Sequence, residues 1–484
     1  MNINLKSSFD VNDYDGIMIL LDEKHIEPGD LKLPVEHLLK TKKLEAKDGS
    51  MCLLSLHNNE SYTETGIIIL GEKHYSSYRK LLKLFGEAFH SIKKAKANTI
   101  AVVMNDKKLN VSDSLVMSMV EAVIMADYSF DTFKTDKKTP KDITVDIIVK
   151  NPGKYEDKAT EAIVLAGANL YARELVNLPA NKLYPKTLAQ KVTELGNEKG
   201  FKTEVLGFDE IKALGMNAYL SVAKGSEREP KFIIMRYMGN LDSDDILGYV
   251  GKGLTFDSGG YSIKSTKGMI EMKGDMGGAA AVIGAISAVA EMKLTVNVTA
   301  VVAACENMIS GSSYRPSDII GSMGGKSIFI GNTDAEGRLT LLDAMHYITT
   351  KENVTRVLDI ATLTGAAIKC TGSEASVVIG NDDEFFNLAD SSFTKCGERI
   401  WRMPVYDEYK ELIKHDEADL TNTAGDPGTI TAGLLIGEFT NGIPWLHVDI
   451  AGTFWAMKKS GVYTKGGTGA AVRPLYHLAK GFTE

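Results

Sequence analysis

The sequence predicts an α/β protein of two domains: a small N-terminal α/β domain, and a larger C-terminal α/β domain whose mainly parallel central sheet is covered by helices. Three observations predict this. Short apolar runs alternate with segments of helical periodicity along most of the chain, the pattern of strand–helix–strand units. The 484 residues are 44% hydrophobic and 24% charged, which suits two large cores that need no disulfide staples. A charged stretch with a proline, Thr135 to Lys141, and the turn Asn151-Pro152-Gly153-Lys154 interrupt the alternation, placing a boundary near residue 152.

The elements follow in order. Gly16 to Leu21, Thr65 to Leu70 and Thr99 to Met104 read as short buried strands, and Asp142 to Val149 alternates as a closing strand. Tyr78 to Ala95 carries leucines and phenylalanines at helical spacing with lysines opposite. Ser112 to Tyr128 is a second helix, with Ser112 as N-cap and Leu115, Met119 and Val123 recurring every four residues. This first region shows no chemical motif. Its histidines (His25, His37, His57, His74, His90) are dispersed and read as ordinary surface or core residues. Past the boundary, Lys158 to Leu175 is an alanine-rich helix, broken at Asn177-Leu178-Pro179-Ala180-Asn181. Helices at Pro185 to Glu198, with Pro185 in the first turn, and at Gly277 to Met292 then alternate with strands. Those strands are Lys202 to Leu206, Lys231 to Tyr237, Ile246 to Val250, Thr295 to Ala303 and Val357 to Ile360. That order implies a mainly parallel sheet buried on both faces.

Composition narrows the function. The formal charge of −8 and sequence pI near 5.7 speak against a nucleic-acid surface. Cys52, Cys305, Cys370 and Cys396 are scattered with no CxxC, as expected of reduced thiols in a reducing cytosol. The start MNINLKSSFD has neither a basic n-region nor an apolar h-region. No apolar run approaches the ~20 residues of a membrane span. The expectation is a soluble protein of the cytoplasm that uses no membrane.

Two charged clusters stand out. The first is Asn332-Thr333-Asp334-Ala335-Glu336-Gly337-Arg338-Leu339, between the apolar run Ser327 to Ile330 and the helical spacing of Leu339 to Thr349. In an extended backbone Asp334, Glu336 and Arg338 would share one face. Two acids this close repel unless a proton or metal ion lies between them. The second runs from Val250 to Gly278 and sets Lys252, Asp257, Lys264 and Asp275 among glycines and apolar residues, a composition that suits a buried site. Hard oxygen ligands in this number suit Zn²⁺, Mn²⁺ or Mg²⁺. No histidine falls between His90 and His346 and HExxH is absent, which argues against an imidazole-based zinc site. Met269 and Met276 read as core. Three look-alikes fail: Phe256 precedes Asp257 where a serine-protease nucleophile loop needs glycine, Ile320 stands where a P-loop needs its first glycine, and Gly251-Lys252-Gly253 lacks the third glycine of a dinucleotide fingerprint.

Together the clusters resemble the leucyl aminopeptidases, dinuclear metallopeptidases of the cytosol. The matching stretches are VGKGLTFDSGG (250–260), SIKS (262–265), EMKGDMGGAAAV (271–282), NTDAEGRL (332–339) and ATLTGA (361–366), with RELVNLPAN (173–181), TAGLL (431–435) and KGGTGAAVRPL (465–475). They cover the chain from about Ala159 onward; the N-terminal region matches only in layout. The resemblance implies an assembly or regulatory domain over 1–152, a linker helix and turn over 153–181, and a catalytic metallopeptidase domain over 182–484.

Carried over residue by residue, the resemblance implies two divalent metal ions held by Lys252, Asp257, Asp275, Asp334 and Glu336. Asp257 and Glu336 would bridge them. Asp334 would complete the looser site, and Lys252 and Asp275 the tighter one, which also takes the substrate amine. Taken without the family, Lys252 reads as an ion-pair partner of the carboxylates. Lys264 would stay protonated and stabilise the gem-diolate formed when a metal-bridged water attacks. Arg338 would hold a bicarbonate acting as general base; taken alone, it reads equally as a structural salt bridge. Met272 would line the apolar first-residue pocket with Asn332, Ala335, Thr362, Gly365 and Ala451, and backbone groups near Leu363 would assist the intermediate. Gly331, Ser265 and Lys267 depart from the usual residues without touching a ligand position. The implied function is release of N-terminal amino acids, leucine-like by preference, from peptides by a homohexamer. Alternative readings are a cysteinyl-glycine dipeptidase at the same site, or a DNA-binding regulatory role of the assembled protein.

Overall fold

The structure is a computed structural model that describes residues 1–24, 26, 35–58, 61–104, 109, 111–136 and 142–483, with the backbone alone at 57, 58, 61 and 62. His25, the side chain of His57 and residues 137–141 of the charged stretch lie outside the described residues. The chain divides into two compact units. One comprises Met1–Gly167 with Lys458–Thr464, the other Ala168–Met457 with Lys465–Glu484. The division falls inside the helix Glu156–Asn177.

The first unit is built on strands β1 (Asn2–Lys6), β2 (Gly16–Asp22), β3 (Met51–Asn58), β4 (Ser61–Leu70), β5 (Thr99–Met104) and β6 (Thr144–Ile148). Their order is β1-β6-β5-β2-β4-β3, and only the β3–β4 pair is antiparallel. The apolar strands β2 and β5 take the middle. The sequence gives no apolar run at β1, because this edge strand buries none of its residues fully. Helices Tyr78–Lys94 and Asp113–Asp127 bury Leu81, Phe85 and Phe89, and Leu115, Met119 and Val123. The Ser112 side chain accepts the Leu115 backbone N–H at 3.2 Å, the N-cap that stops this helix from fraying at its start.

The second unit contains β7 (Lys202–Leu206), β8 (Lys231–Met238), β9 (Ile246–Asp257), β10 (Asn297–Asn307), β11 (Ile319–Gly321), β12 (Ser327–Phe329), β13 (Arg356–Ala361), β14 (Ser376–Gly380), β15 (Ile400–Arg402), β16 (Leu420–Thr421) and β17 (Trp445–Asp449). Eight of them form one sheet in the order β15-β14-β17-β13-β9-β10-β8-β7. Its centre, β17-β13-β9-β10, is all parallel, and β10 is buried along its whole length. Such strands need cover on both faces. The helices Gly277–Glu291 and Gly337–Lys351 supply it; the first is buried in all but Glu291, the second over 10 of its 15 residues. Strand β9 continues seven residues beyond the stretch Ile246 to Val250, because β10 pairs with it as far as Asp257 while β13 accompanies it to Gly251. Met276 is fully buried, whereas Met269, on a short helical turn, is only half-buried. No helix of the described residues is long and apolar enough to cross a membrane.

Candidate active site

The site forms where β9 and β13 end, the edge at which parallel sheets of this kind leave a crevice. Lys252 and Asp257 both lie on β9, five residues apart, and on a regular strand they would face opposite sides. The ladder to β10 slips here: Leu254 pairs with Cys305, but Phe256 pairs with Glu306. Thr255 is the extra residue of a β-bulge. Lys252 therefore stands opposite Ala303 and Asp257 opposite Asn307, four ladder steps apart, and both side chains reach the same face.

Asp334, Glu336 and Arg338 converge as well, but not through an extended backbone. Residues 331–336 form a turn, Glu336 has helical dihedrals (φ −81°, ψ −35°), and the helix begins at Gly337. The apolar spacing that starts at Leu339 hid these first helical residues, because the turn and the helix start are polar. Gly337 is required by Lys252: a Cβ there would lie 2.5 Å from the Lys252 Cε. Gly259, at φ +85°, likewise makes room for Asp334, whose Oδ1 would stand 2.7 Å from a Cβ.

Two ammonium groups interleave with four carboxylates. Lys252 Nζ lies 2.9 Å from both Asp275 Oδ2 and Glu336 Oε1 and donates to the Thr362 carbonyl at 3.0 Å. Lys264 Nζ lies 2.8 Å from Asp257 Oδ2 and 2.5 Å from Asp334 Oδ1. Asp257 Oδ1 also accepts from the Gly259 N–H and from Asn307 Nδ2, and Asp275 Oδ1 accepts from the Thr362 hydroxyl at 2.7 Å. Burial, and then repulsion from Asp257, push the Glu336 carboxyl up to about 8 against the pull of Lys252. Burial pushes Asp275 up to about 6 although Lys252 opposes it, and raises Asp334 too, with Asp257 adding to the effect. Burial works to neutralise both lysines, but the surrounding carboxylates outweigh it and hold each above the ordinary lysine value. Burial lowers the Arg338 guanidinium, whose Nη1 donates to the Asn422 carbonyl at 2.9 Å.

A cavity of about 450 Å³ opens over this cluster. Lys252, Asp257, Lys264, Asp275, Asp334, Glu336 and Arg338 all line it, as do Met272, Asn332, Ala335, Thr362, Leu363, Gly365 and Ala451. The structure thus brings every site residue singled out in the sequence to one place. It adds lining residues the sequence reading missed: Ile368, Thr423, Asp426 and Phe454. It also shows supporting residues beneath the lining. Asn422 holds the 331–335 turn, donating to the Asn332 and Ala335 carbonyls and accepting the Gly331 N–H. Asn307 and Asp449 play similar parts. Of these only Asp449 left a trace in the sequence, through Trp445, His447 and Asp449 at period two in an otherwise apolar strand. Buried residues of this kind form a network: Asp359 accepts from Trp445 Nε1 and lies 2.5 Å from His447 Nδ1.

The residues fit divalent metal. Carboxylate oxygens of Asp257, Asp334 and Glu336 all lie within 4.8 Å of one another, a donor set of hard oxygens. Glu336 Oε2 is buried with no hydrogen-bond partner among the described residues, a cost the fold bears where a cation belongs. The two ammonium groups occupy the positions between carboxylates that cations would take. Fold and site together define the class, an α/β metalloenzyme with its site at the carboxyl edge of a mostly parallel sheet. Comparison with known proteins narrows it. Residues 170–476 match the model of the cytosol aminopeptidase family, catalytic domain, and residues 25–137 that of the N-terminal domain of the same family. The chain belongs to the cytosol aminopeptidase family and is a metallo-aminopeptidase. Relatives described as probable cytosol aminopeptidases include one from Clostridium perfringens, 44% identical with 95% of this chain and 94% of the relative covered. Another, from Clostridium tetani, is 42% identical with 96% and 97% covered. Among solved structures, the bottromycin maturation enzyme BotP in complex with Mn superposes with a TM-score of 0.86 at 25% identity, covering 97% of this chain and 100% of that one.

Proposed function

We propose that this chain is a dinuclear metal aminopeptidase that removes N-terminal amino acids, leucine-like by preference, from peptides. The observation that carries the reading is the interleaving of four buried or half-buried carboxylates with Lys252 and Lys264 in one cavity. Lys252, Asp257, Asp275, Asp334 and Glu336 would hold two divalent ions, Zn²⁺ or Mn²⁺, with Mg²⁺ a weaker fit to a donor set that includes the Lys252 nitrogen; the manganese bound by BotP supports that choice. When bound, such a pair supplies an acidified water and a polarised carbonyl. Lys252 must lose its proton to ligate, so metal loading and proton release are one event. Lys264, which reaches Asp257 and Asp334 from the other side of the cluster, would keep its proton and is placed to stabilise charge growing on the scissile carbonyl oxygen. Arg338 has a buried Nε with no hydrogen-bond partner among the described residues, which supports a bicarbonate there, since a planar fork favours bidentate oxyanions. Met272, Thr362, Gly365 and Ala451 would receive the first side chain, with Asn332, Ala335 and Leu363 beside them. A homohexamer in the cytoplasm completes the reading. The test is hydrolysis of a panel of aminoacyl amides before and after EDTA, with each metal added back. Turnover unaffected by chelation would refute it.

A further inference from the structure

We infer that Asp449 is a positioning residue whose single carboxylate ties the two walls of the substrate cavity together and so sets the shape of the pocket for the first side chain. The inference deepens the function proposed above and rests on it. Asp449 ends β17 and is fully buried. Its Oδ1 accepts the backbone N–H of Leu363 at 3.2 Å and that of Ala451 at 3.1 Å, while its Oδ2 accepts the Thr364 hydroxyl at 2.6 Å. Leu363, Thr364 and Ala451 all line the cavity, but they belong to different walls. One wall is the loop that leaves β13, the other the loop that leaves β17. These strands are parallel neighbours with Ala361 opposite Asp449, and the backbone bond from Ile450 N–H to the Ala361 carbonyl, 2.8 Å, is the last tie of the ladder. Beyond it the two loops diverge, and the Asp449 carboxylate takes over from the sheet.

The first wall is gripped from the other side as well. Lys252 donates to the Thr362 carbonyl, and the Thr362 hydroxyl donates to Asp275. Residues 362–364 are therefore strung between the acidic cluster and Asp449, and Thr364 is further braced by the Thr429 hydroxyl at 2.8 Å. A carboxylate suits the position because it only accepts, and all three groups it meets are donors. Burying one is costly, and no lysine, arginine or histidine pairs with it at salt-bridge distance among the described residues. Three donors converging on one buried acceptor can hold walls that packing alone would leave adjustable.

The test compares the wild type with Asp449→Ala, Asp449→Asn and Thr364→Val. Measured are kcat/KM for leucinamide and for alaninamide, binding of free leucine and alanine by calorimetry, metal content and Tm. In Asp449→Ala the leucinamide-to-alaninamide ratio should fall roughly tenfold, the scale of discrimination one apolar pocket supplies, with metal content unchanged and leucine binding weakened more than alanine binding. Asp449→Asn should lose less, because its oxygen can still accept both N–H groups while the Thr364 hydroxyl turns to Thr429. Thr364→Val, which removes one tie, should move the ratio the same way. A merely structural role would lower both substrates alike, so an unchanged ratio in folded, metal-loaded variants overturns the inference. If Asp449→Ala does not fold, the other two variants decide by the same ratio. A metal-loaded wild type that hydrolyses neither amide would sink the proposed function and this inference with it; an active wild type with unmoved variants sinks the inference alone.

Discussion

Replacing Glu336 by glutamine should stabilise the metal-free protein while abolishing its response to metal. Glutamine keeps the volume and can still accept from Lys252 through its amide oxygen. The wild-type carboxyl is pushed by burial and by Asp257 from 4.5 up to about 8. Between those values the folded state holds a proton that the unfolded chain releases, so this group makes stability fall as pH rises from 4.5 to 8. At ~1.4 kcal/mol per pH unit, holding that proton at about pH 7 costs on the order of 3 kcal/mol. The glutamine variant does not bear that cost. Urea denaturation of EDTA-treated protein should therefore show the variant ahead by about that amount near pH 7 and by little near pH 5. With Mn²⁺ added the order should invert, because only the wild type gains ligand-linked stability. A metal-free variant less stable than wild type near pH 7 would refute the reasoning, since it would mean that the Glu336 charge supports the fold instead of straining it.

Other outcomes follow from the same geometry. Lys264→Ala should lower kcat by about two to three orders of magnitude with metal still bound, as for loss of a group that stabilises transition-state charge; loss of metal in a direct metal assay would instead make Lys264 part of the metal site. Asp257→Ala should remove both metal binding and hydrolysis while far-UV circular dichroism stays that of a folded protein, and normal turnover would defeat the metal assignment. In the first unit, Ser112→Ala should cost about 1 kcal/mol by denaturant unfolding, because it removes the acceptor for the Leu115 N–H; no measurable loss would show that this cap is replaced by water.

What the sequence could show depended on whether a residue's role was local. The strand Thr99–Met104 and the cap at Ser112 were legible because an apolar run and a capping serine act within a few positions. The site residues were legible through motif stretches that keep several charges in fixed order. Three features were not. The bulge at Thr255 depends on a register shift against β10, and period two alone would send Lys252 and Asp257 to opposite faces. The turn that gathers Asp334 and Glu336 depends on Asn422, 87 or more residues downstream of the groups it holds. The walls at Ile368, Thr423 and Phe454 come from the helix Gly365–Thr371 after β13 and from the segments after β16 and β17, strands of two different sheets that only the fold brings together. Long-range placement leaves no periodic mark in the chain.

The claim on which all of this turns is that Asp257, Asp275, Asp334 and Glu336 converge because a pair of divalent ions belongs among them. Anomalous diffraction from crystals of the Mn²⁺-loaded protein measures it most directly. Two manganese peaks per chain, each within coordinating distance of these carboxylates, with the Lys252 nitrogen among the ligands and the Lys264 ammonium drawn away from Asp257 and Asp334, is the result predicted. A cavity that binds no metal, with both lysines still bridging the acids at saturating Mn²⁺, would contradict it.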